Sequence, residues 1–118
     1  MATYSRVLLS GCTNGRVIPV AATATPGTLI HTAISGTSAF DEVYLWVSNV
    51  TGTAATLTIE WGGVTDPGDH AVKSLSIPAN SASIKVLDGI VIQNSLVIRA
   101  FSGTGSALNL AGYVNRIQ

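Results

Sequence analysis

The 118-residue sequence predicts an all-β fold, a two-sheet antiparallel sandwich of jelly-roll or Greek-key type with eight to ten strands. Three observations carry that prediction. Turn-forming residues recur at intervals of about ten positions, the spacing of short antiparallel strands. Between them, β-branched and aromatic residues alternate with small polar ones at the period of a half-buried strand. No run of ten residues carries a helical apolar pattern, and the best helix candidate, Ala33 to Glu42, is interrupted by Gly36.

The elements follow in order. A short apolar run, Val7 to Leu9, gives an N-terminal strand that ends at the turn Gly11-Cys12-Thr13-Asn14-Gly15. Arg16 to Ala22 and Thr28 to Ile34 read as strands separated by Pro26-Gly27, and Gly36-Thr37-Ser38 closes the second. In Val43 to Ser48, the set Val43, Leu45 and Val47 alternates with Tyr44, Trp46 and Ser48, so the two aromatics share a face. Beyond Thr51-Gly52-Thr53, Leu57, Ile59 and Trp61 alternate with Thr56, Thr58 and Glu60, which predicts a half-buried strand with a polar outer face. Turns at Gly62-Gly63 through Pro67-Gly68, Pro78-Ala79-Asn80, Asp88-Gly89 and Gly103-Thr104-Gly105 then delimit Val72 to Ile77, Ser83 to Leu87, Ile90 to Ile92, Ser95 to Phe101 and Ala107 to Asn115. No repeat, linker or low-complexity tail divides the chain, so one β-sandwich domain over 1–118 is expected.

Composition narrows the function classes. Hydrophobic residues make up 47% and charged residues only 10%, with zero formal net charge, against a usual charged fraction of about 25%. A surface so poor in charge has little electrostatic protection from association, so a homo-oligomer or a component of an assembly is expected. The four arginines, Arg6, Arg16, Arg99 and Arg116, are dispersed and balanced by acids, which argues against nucleic-acid binding. No apolar run approaches the ~20 residues of a membrane span, and the N-terminal residues lack the apolar core of a secretory signal. Synthesis in a cytoplasm is the expectation. Cys12 is alone and reads as a packed thiol, and Asn49-Val50-Thr51 reads as a strand end rather than a glycan acceptor.

Candidate chemistry is sparse. Asp66-Pro67-Gly68-Asp69-His70 is the densest titratable cluster, yet it matches no metal-ligand spacing and has the residues of a turn. His31 lies in a strand-like run, where hydrogen bonding or an inter-subunit contact is a simpler role than catalysis. No serine sits in a nucleophile motif, and Gly11 to Gly15 precedes no helix that would make it a phosphate loop. No enzyme, no cofactor and no catalytic, cofactor-binding or metal site is therefore expected. Tyr44, Trp46 and Trp61 would form a sugar-stacking platform only on a common exposed face; core or interface packing is the expectation.

Three segments, Gly15 to Thr23 followed by Pro26 to Thr32, Asp41 to Trp46 leading to Leu57 to Gly63, and the ending Gly112-Tyr113-Val114-Asn115-Arg116-Ile117, resemble a family of small virion structural proteins of tailed bacteriophages. The resemblance implies a β-sandwich protein of the particle, a capsid decoration or cement protein stabilising the head. A neck or tail component, or a carbohydrate-binding module, is the alternative. It further implies a virion location, contact with the major capsid protein or neighbouring virion proteins, and self-association, with a trimer as the form such decoration proteins often take.

Overall fold

The computed structural model describes residues 3–118. Among them the chain forms nine strands and no helix: β1 (Tyr4–Leu8), β2 (Ile18–Pro19), β3 (Thr28–Thr32), β4 (Phe40–Asn49), β5 (Ala55–Trp61), β6 (His70–Ile77), β7 (Ile84–Ile92), β8 (Val97–Ser102) and β9 (Leu108–Ile117). All pairings are antiparallel. The first sheet has the order β1-β9-β4-β7, with β2 on the β9 edge beyond β1, and the second has the order β3-β8-β5-β6. Setting the two-residue β2 aside, the eight remaining strands are distributed as a jelly roll distributes them, with first and last strands adjacent in one sheet and hairpins folded across the other.

The core is aliphatic. Val43, Leu45 and Val47 of β4 and Leu108, Leu110 and Val114 of β9 meet Leu57 and Ile59 of β5 and Ile98 and Ala100 of β8, all with no exposed surface. Each of these Val, Leu and Ile side chains contributes about 1.5–3 kcal/mol of burial energy. β9 lies in the middle of the first sheet, paired along its length to β4 and on its other side to β1 and β2. That is why both its sequence faces are weakly polar: one is core and the other lies between flanking strands' side chains. Gly112 is required where β9 passes β4, because a Cβ there would overlap the Tyr44 carbonyl oxygen.

Two boundaries and one face differ from the sequence reading. Arg16 to Ala22 shrinks to Ile18–Pro19, since Pro19 has no N–H to extend a ladder. Asp88-Gly89 is no turn: β7 runs straight through it, and Gly89, at φ 76°, forms a bulge that shifts the register between Val43 and Tyr44 of β4. The predicted polar outer face of β5 is also wrong. Thr58 is 3% exposed and Glu60 fully buried, because β6 bulges at Ser74 to donate its N–H to Thr58 Oγ1 (3.0 Å) and the loop before β3 folds over Glu60.

Candidate functional site

The hydrophobic core is filled by Leu, Ile, Val and Ala, and none of its buried residues is Phe, Tyr or Trp. Five of the seven aromatics, Tyr4, Phe40, Tyr44, Trp46 and Tyr113, fall on strands of the first sheet. β4 alternates strictly, burying Asp41, Val43, Leu45, Val47 and Asn49 and leaving Phe40, Glu42, Tyr44, Trp46 and Ser48 partly exposed on the outer side. Register extends that outer face across the sheet in rows. Phe40 pairs with Ile117 and Ile117 with Tyr4; Glu42 pairs with Asn115 and Asn115 with Arg6; Tyr44 pairs with Tyr113 and Tyr113 with Leu8; Trp46 pairs with Ala111. On the β7 side, Val91, Asp88 and Lys85 stand opposite Glu42, Tyr44 and Trp46.

The rings form a ladder. Tyr44 and Tyr113 stack with centroids 4.9 Å apart and planes 18° from parallel, and Trp46 stacks on Tyr113 at 6.0 Å and 27°. Cations flank the ladder: the Arg6 guanidinium lies 4.7 Å from the Tyr113 centroid, and the Lys85 ammonium 5.1 Å from that of Trp46 and 6.0 Å from that of Tyr44. Such contacts contribute about 0.5–1 kcal/mol at exposed sites, which fixes the rings upright on the sheet. Stacking on one another and on the cations takes up part of the ring surface, and all three rings stay partly exposed. The sequence reading placed Tyr44 and Trp46 on one face, as the structure does. It missed Tyr113, sixty-odd positions later, which only strand pairing brings beside them. Trp61 is elsewhere, half-buried against the core with its indole beside a recess of about 360 Å³ lined also by His70, Val86 and Ile90.

A second constellation is buried beneath this face. Asp41, with no exposed surface, accepts from Arg116 Nε at 2.8 Å and Arg116 Nη2 at 3.1 Å, from the Ile34 N–H at 3.1 Å, and from His31 Nε2 at 2.8 Å. The Ser10 N–H donates to His31 Nδ1 at 3.0 Å, so Nδ1 is an acceptor and Nε2 carries the ring proton towards Asp41. The Ser10 hydroxyl meanwhile accepts from the Thr32 N–H at 2.6 Å. Ser10, His31 and Asp41 are thus adjacent, but a main-chain N–H occupies the nitrogen that would take a proton from a nucleophile. The cluster ties the turn after β1, the β3 strand, the start of β4 and the end of β9. Burial pushes the Asp41 carboxyl up, but the Arg116 hydrogen bonds, then that from His31, the Arg116 charge and the Ile34 N–H together hold it below the ordinary aspartate value. Arg116 moves the opposite way, raised chiefly by its hydrogen bonds to Asp41 against the pull of burial.

Glu60 makes the matching tie on the second sheet. Its carboxylate accepts from the Thr25 hydroxyl at 2.5 Å and the Gly27 N–H at 2.7 Å, while Arg99, its cross-strand neighbour, donates to the Gly27 carbonyl at 3.3 Å. Asp66 to Asp69 forms a turn and His70 opens β6; Asp69 accepts the Thr65 N–H at 3.0 Å and Asp66 pairs with exposed Lys73. His70 Nδ1 is buried 3.6 Å from Asp66 Oδ1 with no hydrogen-bond partner. Among the described residues no three His, Cys, Asp or Glu side chains group closely enough to hold a metal ion. Cys12 packs half-buried against the core, and the Asn49 amide, 1% exposed, bridges the Thr53 and Ile77 carbonyls at the strand end.

Comparison of the chain with protein-family models, with curated proteins and with solved structures gave no match in any of the three.

Proposed function

We propose that this chain is a structural protein of a tailed-bacteriophage virion, a decoration or cement protein that stabilises the head by contacts with the major capsid protein and with other copies of itself. The observation that supports an assembly role is the placing of the aromatics. A domain of this size ordinarily uses its Phe, Tyr and Trp to fill its core, because each buries 150–250 Å² or thereabouts. This chain fills its core with Leu, Ile, Val and Ala and keeps five aromatics on the outside of one sheet. Tyr and Trp are the residues that dominate the energetics of protein interfaces. The jelly roll adds support by analogy only, since it is an architecture shared by capsid proteins and lectins alike.

The physical logic of a cement protein fits such a face. Each copy need contribute only an ordinary interface of about 800 Å² per partner, because the contact is repeated over the shell. Chemistry is not needed for that role, and the buried Asp41 and Glu60 clusters serve to hold loops and strands in place. In this reading the protein is made in the host cytoplasm and resides in the virion. Quantitative mass spectrometry of purified particles tests it. A high copy number is the expected result; a few to a dozen copies would move the protein to the neck or tail, and absence from intact particles would remove the virion reading.

A further inference from the structure

We infer that the outer face of the first sheet is a two-fold interface whose occupant is a second copy of this chain, an inference that rests on the assembly role proposed above. The composition of the face is suited to self-association. Its rows carry the half-exposed rings of Tyr44, Trp46 and Tyr113 at the centre and two charges of each sign around them: Arg6 on β1, Glu42 on β4, and Lys85 and Asp88 on β7. A homodimer interface must be complementary to itself, each patch meeting the patch that the symmetry axis brings to it.

An axis parallel to the strands, lying between β9 and β4, satisfies that demand. It lays β9 of one copy over β4 of the other and β1 over β7, keeping each row level. Trp46 of each copy then faces Ala111 of the other, a large side chain over a small one. Tyr44 faces Tyr113, and Arg6, level with Val91, comes beside Asp88, whose exposed carboxylate already holds Lys85 of its own chain at 3.3 Å, so that each such acid is shared by two cations, twice over. An axis across the strands satisfies that demand less well: it would set Arg6 against the far end of its own strand in the second copy, with no acid there, and Lys85, already paired with Asp88 of its own chain at 3.3 Å, against Val91. Two twisted sheets packed in the first way lie at the usual aligned angle, with their rings interdigitating across about 10 Å.

The area is adequate. Four strands about 4.8 Å apart and ten residues of β4 at about 3.4 Å each span roughly 650 Å² per copy, close to the ~800 Å² per partner of a standard interface. Because Arg6 and Lys85 hold the rings in place, little side-chain entropy remains to be lost on docking.

Sedimentation equilibrium of the full chain at micromolar concentration gives the first test, and a species of twice 12.1 kDa is expected. Arg6→Glu and Asp88→Arg should each raise the dimer Kd at least tenfold, a rough bound for losing a paired interface charge. The double variant, which exchanges the partners, should recover most of the affinity. Both positions are exposed, and near-ultraviolet dichroism of the tryptophans shows whether each variant is folded. Ala111→Arg, which fills the space meant for Trp46, should give a folded monomer. A wild-type monomer, a trimer, or a dimer that the charge exchange does not rescue overturns the inference. A monomer that is still abundant in purified particles overturns the two-fold contact and leaves the virion reading standing; a rescued dimer absent from particles does the reverse.

Discussion

Replacing Asp41 by asparagine removes one charge and almost no volume, and the structure says what that costs. The carboxylate accepts four hydrogen bonds, two from Arg116 and one each from His31 and the Ile34 N–H, in a site with no exposed surface. An asparagine has one acceptor oxygen and turns an NH2 group towards groups that are all donors. At least two bonds are lost, and the Arg116 guanidinium keeps its charge without a counter-ion. Breaking a buried pair by removing one partner costs about 3–5 kcal/mol, and because the Arg116 side chain is 23% exposed and keeps part of its hydration, the lower end, about 3 kcal/mol, is expected. For a domain of this size that corresponds to a fall in Tm of roughly 10–20 °C. Urea unfolding of wild type and Asp41→Asn at neutral pH, followed by tryptophan emission, measures the difference. Lys73→Ala, which removes an exposed ion pair with Asp66, serves as the control and should leave the midpoint unchanged. A loss under about 1 kcal/mol for Asp41→Asn would refute the claim that this cluster holds β1, β3, β4 and β9 together.

Three further outcomes are expected. Because Asp41 is held below its ordinary value of 3.8 in the folded state, the unfolded chain binds the proton first; the contribution is complete above that pH and is lost as pH falls from about 3.8 through the lower folded value. Acid titration of stability should therefore be shallower in Asp41→Asn than in wild type below that point, and equal slopes would contradict the assignment. Glu60→Gln should weaken the hold on Thr25 and Gly27 at a cost of about 1.5–3 kcal/mol, with amide exchange at Gly27 accelerating before that of the core strands; unchanged exchange there would show that the loop does not depend on the carboxylate. Gly112→Ala should leave little soluble folded protein, because the added methyl group meets the backbone of the neighbouring central strand rather than a movable side chain; a variant with wild-type Tm would mean that β9 and β4 lie farther apart than described.

How much of this was legible in the sequence depends on the range of the interaction that decides each feature. The inward set Val43, Leu45 and Val47 and its outward partners Tyr44 and Trp46 were readable because alternation is a local property of one strand. Glu60 misled for the same reason. Its place in an alternating Thr/Thr/Glu series marks a solvent face, and only the distant Thr25 to Gly27 loop converts that face into an interior. Asp88-Gly89 carries the residues of a tight turn, yet Gly89 spends its positive φ on a bulge, a choice made by pairing with β4 rather than by the dipeptide. Tyr113 joins Tyr44, and Arg116 joins Asp41, through the β4 and β9 ladder, whose partners lie some seventy residues apart. His31 was placed in a strand as a hydrogen-bonding residue, but that its partner is Asp41 could not be read from spacing, since the connection between β3 and β4 sets it. What the sequence signals without any pairing is a chain whose charge is scarce, and the structure adds where the exposed rings have gathered.

A cryo-electron microscopy reconstruction of purified particles that carry this chain tests the central claim most directly. The account predicts repeated sandwich-shaped density on the head, with the outer face of the first sheet, around Tyr44, Trp46 and Tyr113, covered by a neighbouring subunit. Particles without such density, or a sandwich whose aromatic face lies open to solvent in every copy, would contradict it.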